Sequence, residues 1–376
     1  MNLKKKKKRY RMLWIILSVI VLISISVIIF INQPQFGKTP RGERMERIKK
    51  SPNYRDGKFQ NLSETKQITS DKGIVVSMTD FLFGKKENLR PDNDLPVIKT
   101  NLLNLDRNQD ILVWFGHSSC FIQIDGKRIL IDPVFYDASP VSFYNRPFKG
   151  TNIYKPDDIP EIDYLVISHD HWDHLDYKTV MAIKDRTGKI ICGLGVGEHF
   201  EHWKFDKSKI VELDWNESAD LGNGFTVYCL PARHFSGRGL SPNQTLWASY
   251  LFQTPSKKIY IGGDGGYDTH FADIGKQFPE IDLAILENGQ YDKDWRYIHL
   301  LPEELSKVAK DLGAKKIFTV HNSKFALGKH SWKAPLENIS KDAEKDSLTL
   351  ITPEIGEIVY LKDSTQKFKK WWEDVR

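Results

Sequence analysis

Cysteine is scarce in this chain: three in 376 residues, Cys120, Cys192 and Cys229, with no C-x-x-C pair. The count is odd and each cysteine sits in an apolar run, so they give no disulfide framework and read as small buried residues. A broad excess of charge is also missing. The formal net charge is +6, but seven of the positive charges fall in residues 1–11, which hold no acid, so the remainder lies one negative charge from neutrality. A near-neutral body has no field suited to nucleic acid, and no nucleic-acid partner is expected. No internal repeat stands out. Charge is entirely absent from Met12 to Ile31, a run long enough to cross a bilayer core, with Trp14 placed as an interfacial anchor. Phe30-Ile-Asn-Gln-Pro34 offers no small-x-small cleavage site, which argues against a signal peptide. A buried core helix would not need the basic run Lys4–Arg11. The sequence therefore predicts a basic cytoplasmic segment over 1–11, a single transmembrane anchor over 12–31, a juxtamembrane linker over 32–73 and a globular body over 74–376. The positive-inside rule places that body on the outer face of the cell membrane, with the bilayer as a partner.

Hydrophobic content of 40% and charged content of 28% suit a soluble body of this length. Residues 35–70 are polar and basic, with a short helix expected over Glu43–Lys50 and extended chain after it, against either the membrane or the body. From Ile111 the pattern changes. Ile111–Phe115, Ser119–Ile124 and Arg128–Ile131 predict an antiparallel meander with a turn at Asp125-Gly126. Further strands are predicted at Tyr164–Ile167, Lys189–Cys192, Ile210–Leu213, Phe225–Leu230, Leu246–Phe252, Lys258–Ile261, Asp282–Leu286 and Lys316–Val320. Helices are predicted at Tyr177–Arg186, Pro302–Leu312 and Pro335–Lys345, the second opened by proline and followed by Gly313. Two strand sets flanked by helices indicate an α/β sandwich.

The stretch Ser168-His-Asp-His-Trp-Asp-His-Leu-Asp176 follows the apolar run Tyr164–Ile167 and carries three of the chain's eleven histidines. Imidazole and carboxylate are ligands of zinc and related divalent metals. In His-x-His-x-Asp-His, a turning loop can aim His169 and His171 at one metal, and Asp173 and His174 at a second. Other strand runs close on residues of the same kind: His234 after Phe225–Leu230, Asp264 in Gly262-Gly-Asp-Gly-Gly266, and His321 after Phe318–Val320. His299 lies in the loop before the Pro302 helix. The glycines around Asp264 are expected to let backbone approach the metals closely.

The loop resembles the signature of the metallo-β-lactamase superfamily. Trp114-Phe-Gly-His-Ser118, Ile131-Asp-Pro-Val134, Pro231-Ala-Arg-His234, Leu246-Trp-Ala-Ser249, Gly262–Tyr267, His299–Glu304 and His321–Leu327 resemble its branch of N-acylphosphatidylethanolamine-hydrolysing phospholipase D. The likeness runs from about Ile111 to Leu336. It implies a four-layer αββα sandwich with two divalent metal ions, zinc favoured by ligand type and manganese or iron also acceptable. It implies His169, His171 and His234 on the first metal, Asp173, His174 and His321 on the second, and Asp264 bridging. Asp173, Asp264 and His299 are then the catalytic candidates, His299 either holding phosphate or protonating a leaving group, or else stabilising its loop. His117 and Asp132 are candidates to orient the ligands or to cap strand ends. The expected substrate is an N-acylphosphatidylethanolamine-like lipid phosphodiester. Alternatives are a lactone or ester of a small phosphorylated metabolite, or a non-catalytic tethered binding protein. Phe143, Tyr144, Phe148, Trp295 and Tyr297 are candidates for an apolar entrance.

Overall fold

The computed structural model describes residues 3–70, 76, 79, 84 and 88–376. The body boundary expected at residue 74 lies outside the described residues. The chain opens with helix α1, Leu3–Ile31. Its uncharged stretch has a mean hydropathy of 3.1, and none of it is buried against the body, so it is long and apolar enough to cross a membrane. Helix α2, Gly42–Ile48, and a two-residue-per-strand hairpin, β1 (Tyr54–Arg55) with β2 (Lys58–Phe59), follow. This segment does not trail free. Ile48 and Phe59 are fully buried in the central core. Arg44 spreads its guanidinium over Glu198, Glu201 and Glu212, and Asn53 bonds Asp214. The described part of the stretch expected as a linker, residues 32–70, thus packs on the body.

The body contains two seven-stranded sheets. The first begins with β3 (Ile111–Trp114), β4 (Cys120–Ile124), β5 (Lys127–Ile131) and β6 (Ile162–Ile167). Helix α3 (Tyr177–Ala182), strand β7 (Thr187–Gly193), helix α4 (Gly197–His202) and strand β8 (Ile210–Leu213) continue it. The second sheet holds β9 (Ser218–Gly222), β10 (Phe225–Leu230), β11 (Ser249–Gln253), β12 (Lys258–Ile261), β13 (Leu283–Glu287), β14 (Ile317–Val320) and β15 (Leu350–Ile351). Helices α5 (His270–Gln277), α6 (Pro302–Leu312) and α7 (Ala334–Asp346) belong to this half, and β16 (Ile358–Tyr360) returns to pair with β3. In each half an antiparallel meander passes into parallel strands, β5 to β8 and β12 to β15.

Residue alternation sets the layers. In β6, Tyr164 and Val166 face the other sheet, while Leu165 and Ile167 face the outer layer with Val180, Phe200 and Trp203. On the far side, Leu251, Tyr260, Ala284 and Leu286 pack on Phe271, Ile274, Leu305, Val308 and Leu312. Both faces of the central strands are covered, so their sequences are continuous apolar runs, and the product is the expected four-layer αββα sandwich. Helix α6 keeps both expected ends, Pro302 at its first turn and Gly313 as a left-handed cap at φ +60. Two boundaries differ by more than two residues. The helix predicted to Arg186 ends at Ala182, and a 3-10 turn follows, because Arg186 must donate to the carbonyls of Ile159 and Pro156 before β7 begins. Leu246–Ala248 is not ladder. Leu246 N bonds Leu194 O and Ala248 N bonds Ser168 O, tying the second sheet to loops of the first.

Lys324 is buried and donates to the carbonyls of Phe115 (3.1 Å) and Val134 (3.0 Å). Burial pulls its pKa down to about 7. An unfolded lysine holds its proton up to about pH 10.4. The cost of burying this charge is therefore present below pH 7 and is relieved as the pH rises from there. Stability from this group should climb by up to about 1.4 kcal/mol per pH unit above pH 7.5. Urea unfolding of the intact chain followed by circular dichroism should show that slope reduced in Lys324→Met; equal slopes would refute it.

Candidate metal centre

Strand ends build the site. The histidine-rich loop starts where β6 stops, and Asp132, just past β5, fixes its first turn. Ser168 donates its amide and its hydroxyl to the two oxygens of Asp132, at 2.8 and 2.6 Å. The Asp132 carboxylate also lies 2.8 Å from His174 Nδ1, which therefore carries the hydrogen. His174 Nε2 faces inward; burial opposes a charge on this imidazole, yet Asp264, Asp173 and Asp132 hold its pKa well above the ordinary histidine value.

The same tautomer argument applies to the other imidazoles. His234 Nδ1 lies 2.8 Å from the carbonyl of Ile298, which can only accept, so Nδ1 bears the hydrogen and Nε2 the lone pair. His169 Nδ1 faces the Ser168 hydroxyl oxygen at 3.0 Å, whose own hydrogen goes to Asp132. His169 Nε2 and His234 Nε2 then converge on His171 Nδ1, at 2.8 and 3.2 Å. Burial holds His169 and His234 well below the ordinary histidine pKa, so this cluster is a set of neutral imidazoles.

Beside it lies a mixed set. Asp173 Oδ2 is 3.5 Å from His174 Nε2 and 3.3 Å from His321 Nε2. Asp264 Oδ2 is 3.1 Å from each of those nitrogens and 4.0 Å from His234 Nε2, so it stands between the two sets. Its other oxygen is buried without a partner. Burial works against a charge on His321, yet Asp264, Asp173 and Glu287 together push its pKa up to about 10. Carboxylates hold positive charge here, as they would around a cation. The donor set fits two cations, one among three neutral imidazoles and one among carboxylates and imidazoles. The seven residues expected as ligands are all brought together.

His117 and Asp132 occupy orienting positions. His117 Nε2 is 2.9 Å from Asp173 Oδ2, and Asp132 fixes His174. His117, Asp132 and His321 all adopt positive φ, 53, 39 and 67°. Such backbone costs about 1–3 kcal/mol per residue and persists where surrounding structure enforces it. Glu287, at the end of β13, was not anticipated. It accepts from His299 Nδ1 (2.7 Å) and from the amides of Gly265 and Leu300 (both 2.9 Å), and lies 3.4 Å from His321 Nδ1. Its signal was present: an acid closing an apolar run, as at the other strand ends. Gln290 was also missed; its side chain donates to His321 O and Phe325 O and accepts from the amides of Leu327 and Gly328. At the glycines around Asp264, Gly263 (φ +62) leaves room for Ser168 and the Ala248 carbonyl, and Gly266 for the Tyr297 carbonyl, so they let protein segments approach closely.

A cavity of about 350 Å³ opens over the site. Its floor is His171, Asp173, His234, Asp264, His299 and His321, and its walls include Ile68, Phe235, Trp295, Ile298 and Leu327. Of the aromatics expected at the entrance only Trp295 lines it. Phe148 is core, Tyr297 lies under Arg233, and Phe143 and Tyr144 stand exposed on another loop.

A beta-lactamase superfamily domain matches residues 127–322. The chain belongs to the metallo-β-lactamase superfamily. A Mycobacterium tuberculosis protein of unknown activity is 38% identical over 332 residues, 86% of this chain and 87% of that one. The N-acyl-phosphatidylethanolamine-hydrolyzing phospholipase D 1 of Caenorhabditis elegans is 30% identical over 352 residues, 87% of this chain and 95% of that enzyme. Igni18, a metallo hydrolase from Ignicoccus hospitalis, superposes with a TM-score of 0.52 at 21% identity, over 67% of this chain and 98% of its own. This superfamily member is thus a metallo-hydrolase related to the phospholipase D branch.

Removing the Asp132 carboxylate should release the His174 tautomer. Asp132→Asn is expected to weaken one of two metal affinities by roughly 10–100-fold. Competition against a chromogenic chelator would measure this; unchanged affinities would contradict it.

Proposed function

We propose that the protein is a membrane-anchored phosphodiesterase that cleaves N-acylphosphatidylethanolamine-like lipids with two divalent cations. The observation that carries this is the placement of Asp264 between the three-imidazole set and the Asp173, His174 and His321 set. In this reading His169, His171 and His234 hold one cation, Asp173, His174 and His321 the other, and Asp264 both. The ligand types favour zinc, with manganese or iron also accepted. When bound, such cations supply Lewis acidity toward phosphoryl oxygens and make water acidic near neutral pH. His299, oriented by Glu287 through Nδ1, presents the rest of its ring to the cavity and is assigned to the phosphate or to the leaving oxygen.

The cavity is too small for a whole diacyl lipid, so its floor takes the phosphodiester and the acyl chains stay outside. Helix α1 keeps the site at a bilayer that can hold those chains. By the positive-inside rule, the basic residues at the start of helix α1 favour a body on the outer face of the cell membrane, with residues 32–70 packed on it. Support for the substrate class is the relationship to the Caenorhabditis elegans phospholipase D. The size of the cavity also favours a second reading, hydrolysis of a small phosphorylated lactone or ester.

The test is an assay of the intact protein with vesicles containing N-acylphosphatidylethanolamine. Chelator-sensitive release of phosphatidic acid is expected, with activity in Asp264→Asn falling by more than the roughly 100-fold upper range for outer partners of a metal. His299→Ala should lower turnover while leaving bound metal unchanged. Lactone cleavage without lipid cleavage would move the assignment to the second reading.

A further inference from the structure

Asp170 sits inside the metal-binding motif yet points away from the cations' place. Its Oδ1 accepts from Gly237 N at 2.7 Å. Its Oδ2 accepts from the Thr245 hydroxyl at 2.9 Å and faces His199 Nε2 at 3.0 Å. His199 Nδ1 accepts the amide hydrogen of Lys38 at 3.0 Å, so the imidazole is fixed as the Nε2–H tautomer donating to Asp170. Lys38 belongs to the stretch that leaves helix α1. The same stretch is held twice more. Trp203 Nε1 donates to Pro34 O at 2.7 Å. Arg238, fully buried, donates through Nε and Nη2 to Gln35 O, at 3.1 and 2.8 Å.

Arg238 also reaches the motif directly. Its Nη1 donates to the carbonyls of Asp170 (2.8 Å) and Leu175 (2.7 Å), and its guanidinium lies 4.1 Å from the centre of the Trp172 ring. Phe36 meets the Trp172 ring edge-on at 5.0 Å, and Phe30 of helix α1 meets Phe36 at 5.1 Å. Both neighbours of His171, Asp170 and Trp172, are thus gripped from behind by Arg238 and by the residues that follow the anchor. His171 has no strand of its own to set its direction.

We infer that Pro34–Lys38 is a built part of the metal-binding loop, and that Arg238 and the Asp170–His199 pair are positioning residues that hold His169 and His171 in ligating geometry through it. This rests on the metal reading above. The end of the anchor and the first metal are then one mechanical unit: displacing the exit stretch loosens the metal.

Gly37 supplies a direct test. It adopts φ +69, and a Cβ there would run into the His199 ring, so Gly37→Ala must displace either the stretch or the imidazole. Arg238→Lys keeps the charge but cannot reach all three carbonyls. Phe36→Ala removes only a ring edge and serves if either of the others folds poorly. Arg44→Lys is the control: it loosens the same segment at Glu198, Glu201 and Glu212, away from the metal loop. Zinc affinities of the full chain in detergent would be measured by chelator competition, with thermal unfolding alongside. Gly37→Ala, Arg238→Lys and Phe36→Ala should each weaken one of two sites, by roughly 10–100-fold in the first two. Arg44→Lys should lower the unfolding temperature and leave both affinities unchanged. Affinities within twofold of the parent, or a loss matched by Arg44→Lys, would overturn the inference while the metal reading stands. A parent that binds no zinc would overturn both.

Discussion

Imidazoles and carboxylates turned onto one buried centre set the terms for this molecule. Asp132 and the Ile298 carbonyl take the hydrogens of His174 and His234 on their outer nitrogens, so the inner nitrogens turn toward Asp264 Oδ2, at 3.1 and 4.0 Å. Asp264 adds a buried oxygen that has no donor. Burying unpaired polar atoms costs roughly 1–3 kcal/mol each, and more where charge is involved. Positive charge at the centre offsets that cost: the carboxylates raise the pKa values of His174 and His321, and a bound cation would supply the charge in their place. The strained backbone at His117, Asp132 and His321 points the same way, since each is held in place by bonds around the site.

The sandwich exists, in this view, to bring five strand ends to one edge. The ends of β5, β6, β10, β12 and β14 deliver Asp132, the motif loop, His234, Asp264 and His321, and β13 adds Glu287 behind them. Precision comes from partners behind these residues: Asp132 on His174, His117 on Asp173, Glu287 on His299 and Gln290 on the chain around His321. On the side of helix α1, Arg238 bonds the motif itself, at the carbonyls of Asp170 and Leu175. The segment after helix α1 is therefore structural, and the body is not hung on a flexible tether.

Much of this was legible in the sequence, for local reasons. His169, His171, Asp173 and His174 declare themselves by spacing within one loop, and His234, Asp264 and His321 by ending apolar runs. The strands read clearly because both of their faces are buried. The remainder depends on distance along the chain. Arg44 meets Glu198 across 154 residues, and Arg238 meets Gln35 across 203, separations that no window of sequence registers. Glu287 obeyed the rule used for the other strand ends but was hidden by Asn288-Gly289, which resembles an ordinary turn. The aromatic entrance failed because an aromatic run carries no sign of whether it will face a cavity, as Trp295 does, or the core, as Phe148 does. The glycines around Asp264 were seen as points of close approach, but not to what.

The central claim is a paired-cation site, and a metal count on the intact purified protein tests it most directly. Elemental analysis after equilibration with zinc, paired with the same measurement on Asp264→Asn, should give two ions per parent chain and fewer in the variant. One ion or none in a folded parent, or two retained in the variant, would contradict the account.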